Sequence, residues 1–287
     1  MREGLIDSHA HFWDPEVLSY RWLDTLPSID RAYLPADLEA VSGEWGVEGV
    51  VFVQADCDPD QGLKEAAMVA EWANDYPWIL GIVAFAALEK GPEVVEGDLD
   101  SLQAIPLVRG VRRLIQSEGP GFACEDRFVE GVSLLGPRGL TCDLCIRHDQ
   151  LGDVLELVSR CPEVAFVLDH FGKPAIKDGL LDPWREEMRA LAAFPQVRCK
   201  FSGLITEGDW VTWKPDDLRP YVEHVLDVFG PDRLMFGGDW PVVTLAGSYG
   251  KWVETAQELM GGLSEADQQA IFCDNAKQFY RLEQGLG

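Results

Sequence analysis

Residues 5–15 read LIDSHAHFWDP. An apolar start leads to His9 and His11, one residue apart, followed by an aromatic pair and Pro15. Residues i and i+2 of a strand face the same way, so a strand ending here offers two imidazoles to one side. The fold turns on whether this is one strand end among several of its kind. Seven further short stretches rich in β-branched residues follow: GVVFVQA (49–55), ILGIVAF (79–85), VRGVRRLI (108–115), LTCDLCI (140–146), VAFVLDH (164–170), VRCKFSG (197–203) and RLMFGGD (233–239). Their apolar character is nearly continuous rather than alternating, which fits strands buried on both faces of a parallel sheet.

Between these stretches the apolar spacing turns helical, most clearly over 60–77, 149–162, 184–195 and 218–230. Pro77, Pro162 and Pro195 fall just before the next strand, where a helix should stop. Strand and helix alternating eight times predicts an α/β fold, the (β/α)8 TIM barrel. The segment at about 264–282 reads as closing helices, with Ser264 as an N-cap. No linker composition interrupts the chain, so residues 1–287 are expected to form one domain. The Trp/Pro-rich segment at about 14–45 is long for a loop and reads as a rim insertion or lid.

Composition narrows the function classes. The 287 residues are 47% apolar, ample for a large core. A net charge of −25 argues against nucleic acid and against anionic membrane surfaces. No apolar run approaches the roughly 18 residues of a membrane helix. The N-terminus carries no apolar signal core, so a cytoplasmic location is expected. Seven cysteines, of which Cys142 and Cys145 in TCDLC stand closest together, read as mostly buried, reduced thiols, with Cys145, Cys161 and Cys199 as small core residues.

Barrel chemistry sits at the carboxyl ends of the strands. There the sequence puts His9 and His11, Gln54, Arg112 and Arg113, Asp143, Asp169 and His170, Lys200 and Ser202, and Asp239. Buried polar groups need partners, so convergence on one cleft is the economical reading. His9, His11, His170 and Asp239 can approach one divalent ion, and a His/carboxylate set favours zinc over calcium or magnesium. For an isolated HxH, backbone hydrogen bonding at a loop is an equal alternative; Asp239 at the last strand end tips the balance to a metal. Arg112 fits either a substrate contact or an ion pair with Asp143, and Lys200 either a site role or simple packing of its stem. His224 reads as structural, His148 as facing either the site or the next helix, and Cys142 as packing. The aromatics Phe12, Trp13, Tyr20 and Trp22 either pack the rim or stack on a ring-shaped substrate.

DSHAHFWDP, VQADCDP, VRGVRRLIQ, LTCDLCI, FVLDHFGKP, KFSGLITEGDW and DRLMFGGDWPV, in that order, resemble the signature segments of amidohydrolase-superfamily lactonases. The similarity is to the sugar-lactone branch (L-fuconolactonase, L-rhamnonolactonase) and runs from Ile6 to Tyr280. It implies a metal-dependent hydrolase barrel that opens a small-molecule lactone. It also implies metal or site roles for His9, His11, His170 and Asp239. Substrate contacts are implied for Gln54, Arg112, Asp143 and Trp13, with Lys173 or Lys200 holding ring hydroxyls or the carbonyl. In the expected mechanism a water between the cation and Asp239 attacks the ester. Asp239 takes and returns the proton, while His170 and Arg112 steady the developing oxyanion.

Departures qualify the resemblance. The fourth strand ends in arginines, not in a lysine that could be carboxylated to bridge two metals, so one divalent ion is the most expected. Metal-free catalysis stays open, because some relatives work without an ion. Gly238 stands where a serine is more usual, an exchange expected to matter little to catalysis. Adjacent Arg112 and Arg113 cannot both point inward, and a single inward arginine suits a neutral sugar lactone better than the alternative aromatic-derived dicarboxylic lactone. A metal-dependent decarboxylase and a non-catalytic sugar-acid binder are the remaining alternatives. Either a monomer or a homo-oligomer is compatible with the sequence.

Overall fold

The computed structural model describes residues 4–282. Eight strands run in chain order: β1 Leu5–Ala10, β2 Val47–Val53, β3 Ile79–Ala84, β4 Val108–Arg112, β5 Thr141–Leu144, β6 Ala165–Leu168, β7 Val197–Phe201 and β8 Leu234–Phe236. Each pairs in parallel with the next. The ring closes through the residues after β8. Asp239 N–H donates to His9 O and His11 N–H to Trp240 O, both at 2.7 Å. This is the (β/α)8 TIM barrel expected, with every strand inside its expected stretch or within two residues of it. The outermost residues of the expected domain, 1–3 and 283–287, lie outside the described ones.

The continuous apolar runs divide by period 2 into two cores. Val50 and Phe52 pack outward under the helices, while Val51 and Val53 fill the barrel interior with Ile6, Val83, Val167 and Met235. Each fully buried side chain of this kind contributes about 1.5–3 kcal/mol. The closing helices, Glu265–Gln269 and Asn275–Tyr280 joined by one wide turn at Ala270–Asp274, send Phe279 and Tyr280 into the interior core. Ser264 caps them as expected, its Oγ accepting from Asp267 N–H at 3.1 Å.

The expected rim insertion needs correction in part. Pro35–Ser42 is the barrel's first helix, the crossover from β1 to β2. Its start is fixed by Asp37, whose carboxylate accepts from Leu34 N–H at 2.8 Å. With eight residues and few buried positions, it carries too short a period to be read. Before that helix, Trp22 and Leu26 of the segment reach the cavity. Helices Pro92–Gln103, Asp126–Ser133 and Tyr249–Leu259 complete the outer ring. Among the described residues no helix is long and apolar enough to cross a membrane.

Candidate active site

The barrel opens at its carboxyl end into a cavity of about 260 Å³. His11, His170, Asp239, Arg112 and Lys173 line it, with Asp56, Gln116, Ser117, Thr206 and Cys145. Trp22, Leu26, Leu114 and Val242 supply an apolar wall.

Three imidazoles converge on one carboxylate. The Nε2 atoms of His11, His9 and His170 lie 3.6, 3.7 and 3.9 Å from Asp239 Oδ1. The Nε2 atoms of His9 and His11 are 3.1 Å apart. Donors on a tetrahedral zinc at about 2.0–2.1 Å stand about 3.3–3.4 Å from one another, and one donor atom each from His9, His170 and Asp239 lie within 4.8 Å of one another, a group that could hold an ion. The outer nitrogens are held as well. His11 Nδ1 meets Val53 O at 2.7 Å and His170 Nδ1 meets Ser202 Oγ at 2.9 Å, the kind of support that aims a ligand's lone pair.

Electrostatics prepare the same donors. Burial drives the pKa of His170 down to about 4 against the opposing pull of Asp239 and Asp169, and drives His9 and His11 below the ordinary histidine range. Burial alone would raise Asp239. The charge of His170, the hydrogen bond from His11 and the charge of His9 outweigh it and hold the carboxyl below its ordinary range. At neutral pH the site therefore presents neutral imidazoles and an ionised carboxylate, the forms that bind a cation or accept a proton.

Backbone geometry makes this arrangement fit. His170, Lys173 and Asp239 occupy the left-handed region at φ 54°, 51° and 53°, which costs about 1–2 kcal/mol each. Gly203, at φ 63°, gives His170 its space, since a Cβ there would stand 2.3 Å from His170 Nδ1. Gly238 is also sterically constrained. A Cβ on it would lie 2.4 Å from both Asp7 Oδ2 and the Tyr249 ring. Asp7 itself ties β1 to the end of β8. Its Oδ1 accepts from Gly238 N–H at 2.7 Å and His9 N–H at 2.9 Å, and its Oδ2 from Tyr249 O–H at 3.0 Å.

Not every expected residue reaches the cavity. Asp143 and Lys200 are fully buried beneath it, joined at 2.6 Å, with Tyr280 O–H donating to Asp143 Oδ2 at 2.7 Å. Gln54 is also buried, its side-chain oxygen accepting from Asp56 N–H at 2.5 Å. Trp13 is covered by the rim, donating to Arg31 O at 2.8 Å and meeting Trp22 edge to face. Asp143 and Lys200 precede the last residues of β5 and β7 and so lie lower in the barrel, whereas Trp13 packs inside the rim. The partner of Arg112 is Asp169 at 3.0 Å, not Asp143. Arg113 turns away to Glu89 and Glu118, so one arginine faces inward as reasoned. His224 is structural, Nε2 at 2.7 Å from Arg185 O.

Several residues at the site were given no role in it from the sequence. Asp169 is the hub, facing Arg112, Lys200 and His9; its place beside His170 at a strand end was the available signal. Cys145, read as core, lines the cavity with its Sγ 3.5 Å from Gln116 Oε1. Asp56, Gln116 and Ser117 lie on loops and Thr206 on the single-turn helix Leu204–Glu207, where no periodicity marks them.

Comparison with known proteins agrees with this architecture. An amidohydrolase family model matches residues 6–282. The L-fucono-1,5-lactonase of Burkholderia multivorans is 34% identical, over 96% of this chain and 96% of that protein. The L-rhamnono-gamma-lactonase of Scheffersomyces stipitis is 24% identical, over 97% and 98%. A crystal structure of a Burkholderia multivorans amidohydrolase with bound zinc superposes with a TM-score of 0.87 at 32% identity, covering 97% of this chain and 99% of that one. The matched span and the identities together assign the chain to the amidohydrolase family.

Proposed function

We propose that the chain hydrolyses the lactone of a sugar acid, an aldonolactone of the fucono- or rhamnono-lactone kind, to the free acid. The observation that carries this reading is the meeting of three neutral imidazoles and one ionised carboxylate at the floor of a cavity with an apolar wall. The lactonase relatives support the substrate class.

His9, His170 and Asp239, with His11 beside His9, would hold a single divalent ion, zinc by preference; the grouping of the first three and the zinc-bound relative support this. Bound there, such an ion supplies Lewis acidity and brings the pKa of water toward about 7. Asp239 takes the proton of the attacking water as the new C–O bond forms, and returns it to the ring oxygen as the ester bond breaks. Arg112 is fixed by Asp169 and by Gln54 O at 2.5 Å, which leaves N–H groups free for the developing oxyanion. Asp56, Lys173 and Gln116 hold ring hydroxyls, while Trp22 and Leu26 cover the apolar face. Among the described residues Arg112 and Lys173 are the cationic side chains of the lining, set against Asp56 and Asp239. That balance suits a neutral lactone better than a dicarboxylic one. A cytoplasmic enzyme is in keeping with the seven free thiols.

A panel of aldonolactones in a pH-indicator assay, with and without chelator, tests the proposal. Acid release from at least one, lost on chelation, is the expected result. Tight binding of one compound without hydrolysis of any would replace the enzyme reading by a sugar-acid binder.

A further inference from the structure

Gln116 stands on the loop after β4 and lines the cavity. All but one of its polar groups are engaged. Its backbone N–H donates to Cys145 O at 3.1 Å, and its backbone carbonyl accepts from the Arg147 guanidinium. Its side-chain Oε1 accepts from Lys173 Nζ at 2.6 Å, and from the Cys145 thiol at 3.5 Å. The amide Nε2 is the group left over. Among the described residues nothing accepts from it, and it is not a sealed atom, unlike Gln54 Nε2 deeper in the barrel.

The amide cannot be turned over. One arm of a carboxamide accepts and the other donates, while an ammonium only donates. Lys173 at 2.6 Å therefore requires the oxygen on its side, since a nitrogen there would set two donors against each other. Lys173 is held in its turn. It ends the left-handed stretch that begins at His170, its N–H donating to His170 O at 2.9 Å. Its ammonium carries three hydrogens, and Gln116 takes one. Glu207 Oε1 lies 3.9 Å from Nζ, too long for a hydrogen bond, so it offsets the charge without using up a donor. Toward the cavity, Gln116 and Lys173 thus present donors only.

We infer that Gln116 is a specificity-determining residue that, together with Lys173, grips the oxygen of one ring hydroxyl of the lactone, its amide locked by Lys173 with the N–H groups toward the substrate. The inference deepens the proposed lactone hydrolysis and rests on it. A hydroxyl oxygen fits because it is neutral and brings two lone pairs to two donors. A carboxylate would also accept, but Glu207 already answers the ammonium charge. A lactone without this hydroxyl would leave both donors unpaired against it, and unpaired donors in a closed site are what make such discrimination large.

A cycle between residue and substrate tests this. Steady-state kcat/KM of the wild type and of Gln116→Met is measured on the best aldonolactone and on its single-deoxy analogues. In the wild type, one analogue should fall about 10–100-fold below the parent lactone. Gln116→Met should lose about tenfold on the parent, and no more than about twofold on that same analogue, whose missing group is the one gripped. An equal loss on the parent and on every analogue would overturn the inference, since it would be a general effect of the substitution. So would a wild type indifferent to the removal of each hydroxyl in turn, a result that stands even if Gln116→Met fails to fold. Preference of the wild type for a carboxylate-bearing lactone over the neutral parent would overturn the hydroxyl as the occupant. A wild type that opens no lactone would overturn the proposed activity and this inference with it, whereas the other outcomes leave the activity standing.

Discussion

Replacing Glu65 by glutamine isolates the cost of a carboxylate buried under the cavity rim. Glu65 lies on the helix Gly62–Trp72 and is 1% exposed. Its Oε1 accepts from Ala55 N–H at 3.2 Å, and Oε2 has no hydrogen-bond partner. Burial pushes its pKa from 4.5 up to about 7, with the Ala55 N–H working the other way. A carboxyl whose pKa is raised by folding gives its full stability contribution below the unfolded value, and that contribution is lost as pH rises through the folded one. The displacement from 4.5 to about 7, at about 1.4 kcal/mol per pKa unit, amounts to roughly 3 kcal/mol lost above neutrality. Glutamine keeps an oxygen for Ala55 and has no charge to bury. Glu65→Gln should therefore match or slightly trail the wild type near pH 4.5, and exceed it by up to roughly 3 kcal/mol near pH 8.5. For a chain of this size that is a gap in Tm on the order of 6 °C. Differential scanning calorimetry of both proteins across that pH range is the assay. A Tm difference that does not change with pH would refute the reasoning, because it would mean that Glu65 ionises as freely in the fold as out of it.

Arg112→Met should lower kcat for a lactone by about 10²–10³ while KM changes less, if its N–H groups meet the oxyanion rather than the ground state; steady-state kinetics separates the two. Gly203→Ala should cost more than about 1 kcal/mol in urea unfolding, since the new Cβ meets the His170 ring from a backbone at φ 63°, and zinc binding should weaken with it. Gly238→Ser should cost about 1–3 kcal/mol by crowding Asp7 and Tyr249, read from the urea midpoint.

The barrel was legible because each strand is buried on both sides. Apolar runs such as ILGIVAF carry that signal without help from tertiary context, and the regular alternation with helices leaves few topologies. The four residues that converge were legible for a related reason: His9, His11, His170 and Asp239 are polar groups set at the ends of such runs, where only a shared site explains their burial. The depth of each residue was not legible. Asp143, Lys200 and Gln54 share the strand-end signature, but one or two residues of rise separate a side chain in the wall from one sealed beneath it. Asp7 escaped, and Asp169 was placed at a strand end without a role, because a buried carboxylate is recognised by its partners, and those partners, Tyr249 and Arg112, are distant in sequence. Loop residues such as Asp56 and Gln116 belong to no period at all.

The most direct test of the site is Asp239→Asn, assayed on whichever aldonolactone the wild type turns over best. An amide cannot accept the proton of the attacking water, so kcat should fall by about 10²–10⁴ or below detection, with the melting temperature retained. Turnover at the wild-type rate in a folded Asp239→Asn protein would contradict the assignment of the proton transfer to this carboxylate.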